Sequence, residues 1–198
     1  MLAHELEADP RLRHISDIEQ QIVREAVDAL PPGATVADVP CGNGRMSQWV
    51  VRRGDLNLVA MDFNTDMLAG MRHRELPAML SRRVQADVLH LPLRDKSVDL
   101  LINMRLMHHI PDRAVQVSMY RQIARVSRGP VITSFWTTHC WRHIRKRLLG
   151  KTIRGFPVSP EHFRGVCREA GLAVERMVSV GPAMEEQTVV ICRVEGRG

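Results

Sequence analysis

The stretch that most constrains this chain is ATVADVPCGNGR, residues 34–45. An apolar run from Ala34 to Val39 carries one acid, Asp38, and breaks into the turn Pro40-Cys41-Gly42-Asn43-Gly44. A helix-like stretch from Arg45 to about Arg53 follows. The pattern predicts strand, tight turn and helix. Glycines in such a turn let the backbone approach a ligand with no Cβ in the way. A helix start adds N–H groups that lack intrahelical partners. Glycine turns are common in βα loops, so the weight falls on what surrounds this one.

Upstream, residues 1–15 read as a loose arm. Ser16 is predicted to N-cap a helix running to about Leu30, with Glu19 as its capping-box partner. Ile18, Ile22, Val23, Ala26 and Val27 keep a helical period, and Pro31-Pro32-Gly33 ends it. Downstream, strands are expected over residues 57–61, 82–86, 98–102, 130–135, 172–180 and 188–194. Thr65 is expected to cap a helix from Asp66 to about Arg74. Another helix runs from Pro111 to about Val126, and one starts at Ser159-Pro160-Glu161 and closes at Gly171.

Strands alternating with helices imply an α/β fold with a parallel sheet. The last two strands have no helix between them and should form an antiparallel hairpin. Ligands of open α/β sheets sit at the carboxyl ends of the strands. Asp38, Asp62 and Asp87 fall there, after strands one, two and three. Singly, each reads equally well as a cap or a loop acid. In order, they suit a nucleoside: the acid after strand two can accept ribose hydroxyls, and the acid after strand three an adenine amino group.

With these residues in view, the chain resembles class I S-adenosylmethionine-dependent methyltransferases of the type-11 (ubiquinone/menaquinone-methylase-like) family. The acid-x-Gly-x-Gly-x-Gly motif corresponds to Asp38-Val39-Pro40-Cys41-Gly42-Asn43-Gly44, with Pro40 replacing the first glycine. Asp62 within VAMDFNTDML matches the ribose acid, and Asp87 within ADVLHLPLRDKSVDLL the adenine-side acid. NMRLMHHIPD, residues 103–112, matches the segment after strand four. The likeness runs from about residue 16 to residue 135.

The resemblance implies a Rossmann-like, seven-stranded, mostly parallel sheet with helices on both faces and a C-terminal antiparallel hairpin. It implies S-adenosylmethionine as cofactor, held by Asp38, Pro40, Cys41, Gly42, Asn43, Gly44 and Arg45 at the first turn. Asp62, Phe63 and Met67 would serve the ribose side, Asp87 and Val88 the adenine, and Asn103, Met104 and Arg105 the floor near the methyl. Pro40 has no N–H and a fixed φ, so the first turn must depart locally from the family's pattern. A nicotinamide dinucleotide fits less well, because the GxGxxG spacing is absent.

His108 and His109 are the candidate catalytic residues, as base or acceptor contact; the alternative is that one packs and the other faces solvent. Methyl transfer from a sulfonium is an in-line displacement, in which holding donor and acceptor in line supplies much of the effect. A base is needed only if the acceptor must lose a proton.

The chain's net charge of +6 and pI of about 9.8 point to an acidic partner. Residues 136–160 hold Arg142, Arg145, Lys146, Arg147, Lys151 and Arg154 and no acid. Residues 136–157 therefore read as a basic, lid-like insertion meeting a small or lipid-like, anionic acceptor, with peripheral membrane contact through 139–154; a solvated surface helix is the alternative. An RNA or DNA methyltransferase fits less well, since base-stacking aromatics are few and Asn103-Met104-Arg105-Leu106 is not an exocyclic-amine methylase motif. A cofactor-binding or membrane-surface module without turnover is the alternative from another class.

With 198 residues, one domain is expected. The four cysteines form no CxxC pair, which suggests reduced thiols and a cytoplasmic protein; that the protein is bacterial is implied by the resemblance alone. No apolar run approaches the roughly 18 residues of a membrane span, and MLAHELEADP lacks a signal-peptide core. His139, Cys140 and His143 match no closed zinc pattern, so no metal is expected.

Overall fold

The computed structural model describes residues 10–71, 81–138, 140–141, 148–150, 155–180 and 187–196. Helix α1 spans Pro10–Asp28, followed by strand β1 (Thr35–Asp38), α2 (Ser47–Arg53), β2 (Asn57–Asp62), α3 (Thr65–Gly70) and β3 (Ser81–Gln85). Strand β4 (Leu100–Asn103) leads through a 3-10 turn, Met107–His109, into α4 (Arg113–Val126). Strand β5 (Val131–Trp136), α5 (Pro160–Glu169), β6 (Leu172–Ser179) and β7 (Gln187–Val194) complete the order.

These strands form one seven-stranded sheet in the order β3-β2-β1-β4-β5-β7-β6. The first five pair in parallel, whereas β7 runs antiparallel to both β5 and β6. Alternate residues of a strand point to opposite faces, and the apolar residues divide accordingly. Ala37, Leu101, Val131 and Phe135 pack with Tyr120 and Ile123 of α4 and Phe163 of α5. Val36, Leu100, Ile102 and Ile132 pack with Val23 and Val27 of α1 and Val50 of α2 on the other face. Both faces are thus covered, as a parallel sheet of near-continuous apolar strands requires.

The chain builds β2 and β3 on one side of β1 and β4 and β5 on the other. The reversal between β1 and β4 opens a crevice at their carboxyl ends. In register, Asp38 pairs with Ala60, and Asp62 with Gln85 of β3, so the acids ending β1 and β2 share one edge.

Several local expectations need correction. Helix α1 begins at Pro10, so residues 10–15, expected in a loose arm, are helical and Ser16 is interior. Glu19 is therefore no capping partner. Helix α2 starts at Ser47 rather than Arg45, because Gly42 to Met46 are still turning. The cap of α3 is Asn64, whose side chain accepts from the Asp66 N–H, and Thr65 is the first helical residue. Ser159 caps α5 as expected, accepting from the His162 N–H.

Candidate functional site

The turn after β1 is held largely by its own surroundings. Cys41 N–H donates to Met61 carbonyl at 2.8 Å, and Gly44 N–H to Cys41 carbonyl at 2.9 Å. Gly42 N–H donates to Asp62 Oδ2 at 2.8 Å. That N–H ties the two acid-bearing strand ends together. Gly42 has φ +53°, and a Cβ there would meet nothing within 4 Å. It leaves an open approach at a backbone angle that side chains avoid. Cys41 is buried beside Gly42 and Met71, and burial pushes its thiol pKa up.

Asp38 is sealed at the end of β1. Its Oδ2 accepts the Ser47 hydroxyl at 2.6 Å, and Ser47 is itself fully buried. Its Oδ1 is buried with no partner. Burial, the largest cause, raises this carboxyl's pKa from 3.8 to about 7, against the lowering effect of Ser47 and Arg45. A buried unsatisfied acceptor is costly and suited to a cationic ligand group.

Asp62 is also mostly buried. Each carboxylate oxygen accepts one backbone N–H, from Gly42 and from Asn64. A carboxylate oxygen takes more than one donor, so Asp62 is oriented and still has capacity for hydroxyls. Phe63 beside it is 73% exposed and Met67 40%, offering apolar surface at the mouth. Asp87 lies two residues past β3 and is exposed; its Oδ1 accepts the Leu89 N–H at 2.9 Å. Ala86 N–H bonds Asp62 carbonyl, which sets the Asp87 segment against the end of β2. Val88 is half-buried against the core.

On the other side of the crevice, Asn103 is fully buried. Its amide donates to Val39 carbonyl at 2.7 Å and its carbonyl accepts from Thr133 at 3.1 Å, so this side chain ties β1 to β5. Met104 is buried, and Arg105 has φ +59°, with its N–H on Ser134 Oγ at 2.8 Å. Positive φ at a non-glycine residue costs energy and tends to occur where function needs a bend.

The two histidines diverge. His108 is buried, stacked on Trp136 with ring centres 3.8 Å apart, and its Nδ1 has no partner. Burial, with help from His109 and Arg105, lowers its pKa from 6.5 to about 3, so it is neutral across the physiological range. Its carbonyl accepts Phe156 N–H at 2.8 Å, and Val158 N–H bonds Trp136 carbonyl, strapping residues 155–158 over this corner. A Cβ on Gly155 would lie 2.9 Å from the Trp136 ring and 3.0 Å from His108 carbonyl. His109 is exposed next to it.

Arg45 and Arg105 do not point freely into the crevice. Both guanidiniums bind Glu19 of α1, at 2.8 and 2.7 Å. Glu19 is fully buried and was missed as a site residue by the sequence reading. The available signal was an acid on the helical stripe of Ile15, Val23 and Val27, all of them buried. Ser47 and Gln187 were missed as well; short polar side chains of this kind carry no pattern.

Of the lid-like segment, residues 139, 142–147 and 151–154 lie outside the described residues, and so do His139 and His143. Trp141, Leu148, Leu149 and Phe156 are exposed. Among the described residues there is no group of three or more His, Cys, Asp or Glu arranged to hold a metal, and no helix is long and apolar enough to cross a membrane. All four cysteines are buried, and none is in a disulfide.

Residues 36–129 match the family described as a methyltransferase domain. Over 114 residues the chain is 29% identical to a mouse tRNA (carboxymethyluridine(34)-5-O)-methyltransferase, ALKBH8, covering 57% of this chain and 16% of that protein. Over 112 residues it is 26% identical to 2-methyl-6-phytyl-1,4-hydroquinone methyltransferase of Synechocystis, covering 56% of this chain and 34% of that enzyme. The match thus spans 16% and 34% of the length of these two relatives. Its fold superposes on magnesium protoporphyrin IX methyltransferase from Synechocystis, crystallised with S-adenosylhomocysteine. The TM-score is 0.78 at 17% identity, over 96% of this chain and 89% of that one.

Proposed function

We propose that the chain is a class I S-adenosylmethionine-dependent methyltransferase that transfers a methyl group to a small or lipid-like, anionic acceptor, on the match of residues 36–129 to the methyltransferase-domain family. The observation that carries the cofactor site is the edge itself. Asp38 and Asp62 end β1 and β2, and Asp87 lies two residues past the adjacent β3, with an unpartnered buried oxygen on Asp38 and an open glycine approach between the first two.

When bound, S-adenosylmethionine supplies an electrophilic methyl on a sulfonium. The residues of the chain do the rest. Asp38 Oδ1 would hold the ammonium of the amino-acid end, a positive charge there partnering the one carboxylate oxygen that Ser47 leaves without a donor. Asp62 would take the ribose hydroxyls, Phe63 and Met67 would cover the nucleoside, and Asp87 with Val88 would meet the adenine edge. Gly42, Asn43 and Gly44 let the turn pass close by, with Pro40 and Cys41 shaping its entry. Asn103, Met104 and Arg105 would form the floor, Asn103 by tying the end of β1 to β5. Held in line, donor and acceptor need little further help.

If the acceptor must lose a proton, His109 takes it, since His108 is committed to packing. The basic segment attracts the acceptor's negative charge. A tRNA acceptor is the second reading, favoured by the mouse relative.

The test of the cofactor site is calorimetry with Asp62→Ala. Loss of charge-assisted hydrogen bonds worth roughly 1.5–3 kcal/mol should weaken S-adenosylmethionine by about one to two decades. Unchanged affinity would remove the ribose assignment.

A further inference from the structure

Glu19 holds four elements at one point. Its carboxylate accepts Arg45 Nη1 from the turn after β1 at 2.8 Å, and Arg105 Nη2 from the segment after β4 at 2.7 Å. It also accepts Gln187 Nε2 from the start of β7 at 2.7 Å. Helix α1 adds Ser16 Oγ on Arg45 at 2.9 Å and Gln20 on Gln48 at 2.8 Å, so one face of the helix is stitched along the turn.

A buried carboxylate persists only when paired and hydrogen-bonded, and Glu19 is fully paired. Two guanidiniums against one carboxylate nevertheless leave one positive charge in surplus. Arg45 directly follows the glycine turn and is electrostatically coupled to Asp38. A zwitterionic amino-acid group with its ammonium on Asp38 would bring its carboxylate toward that surplus charge.

We infer that Glu19 is a positioning residue for the amino-acid end of the cofactor, acting through Arg45 and Arg105 to aim their surplus charge at the cofactor's carboxylate. The inference rests on the methyltransferase reading above. Net charge alone predicts the opposite response to removal of Glu19. Without the acid the cluster gains positive charge, and simple attraction would tighten carboxylate binding.

The test compares S-adenosylhomocysteine with 5′-methylthioadenosine, which keeps the nucleoside and thioether but lacks the amino-acid chain. Binding of both is measured calorimetrically to the wild-type protein and to Glu19→Ala, Glu19→Gln and Arg105→Gln. Thermal unfolding verifies that each variant is folded, and Arg105→Gln, at a partly exposed position, serves if Glu19→Ala is not. Glu19→Ala and Arg105→Gln should each weaken S-adenosylhomocysteine by about tenfold, the scale of one charge-assisted contact, and leave 5′-methylthioadenosine within about twofold. Glu19→Gln, which keeps an acceptor oxygen, should recover part of the loss. A gain in S-adenosylhomocysteine affinity in Glu19→Ala, or equal weakening of both ligands, would overturn the inference. If the wild-type protein binds neither ligand, the methyltransferase reading itself falls, and this inference with it.

Discussion

The Asp38 carboxyl combines burial, a single donor and a raised pKa of about 7. A pKa above the ordinary 3.8 means that the folded chain prefers the protonated form. This group's contribution to stability is therefore full below about pH 4 and is lost as pH rises through about 7. The cofactor's ammonium needs the ionised form. S-Adenosylmethionine affinity should therefore fall as pH drops below about 7, approaching tenfold per unit. Calorimetry across pH 5.5 to 8.5 checks this, and Asp38→Asn should flatten the profile. Ser47→Ala should move the midpoint upward, because the hydroxyl stabilises the anion. At this scale the acids were readable from the sequence, since their position after apolar runs is a linear pattern. Glu19 and Ser47 were not readable, because their roles depend on contacts across 26 and 9 residues of chain.

Elements explain why β4 and its sequel are so constrained. Gly129, just before β5, packs so tightly that a Cβ would lie 1.8 Å from Asp99 carbonyl oxygen. Gly129→Ala should destabilise the fold by about 1–3 kcal/mol through overpacking, read as a lower urea midpoint with unchanged slope. The strap at 155–158 holds His108 against Trp136, and its lowered pKa keeps the ring neutral. This group's contribution to stability is present above about pH 6.5 and is lost as pH falls toward about 3. If a base is used, His109→Ala should reduce turnover by about 100-fold, whereas His108→Phe, which keeps an aromatic ring against Trp136, should retain most of it. Steady-state kinetics with the true acceptor separates the two. The pairing HH gave no sign in sequence of which ring would face outward; the strap from residues 155–158 decides it.

For the whole molecule, the mostly parallel sheet and the antiparallel β6–β7 hairpin followed from the alternation of apolar runs with helical periods and from the missing crossover before β7, whereas the strand order was not legible in that pattern. Helix starts were less legible, because Ser16 and Thr65 both look like caps, but α1 already runs through Ser16 from Pro10 and Asn64 caps α3 instead. The basic stretch 136–160 lends the molecule its net charge and follows β5 directly. Exposed charge is screened beyond about 8 Å at physiological salt. Turnover of an anionic acceptor should therefore decline with ionic strength through capture. Charge reversal at Arg142, Lys146 and Arg147 should raise KM for the acceptor and spare cofactor affinity. Parallel sedimentation with anionic vesicles and with RNA tells a lipid-like acceptor from the tRNA reading.

The central claim is that the chain turns over methyl groups rather than merely holding the cofactor. The most direct measurement incubates the purified protein with methyl-labelled S-adenosylmethionine and a small-molecule extract, and follows label and S-adenosylhomocysteine by mass spectrometry. The account predicts label in an anionic, low-molecular-weight product, with one S-adenosylhomocysteine released per methyl transferred and both lost in Asp62→Ala. Cofactor that is bound but never consumed, with extract or with RNA, would contradict it.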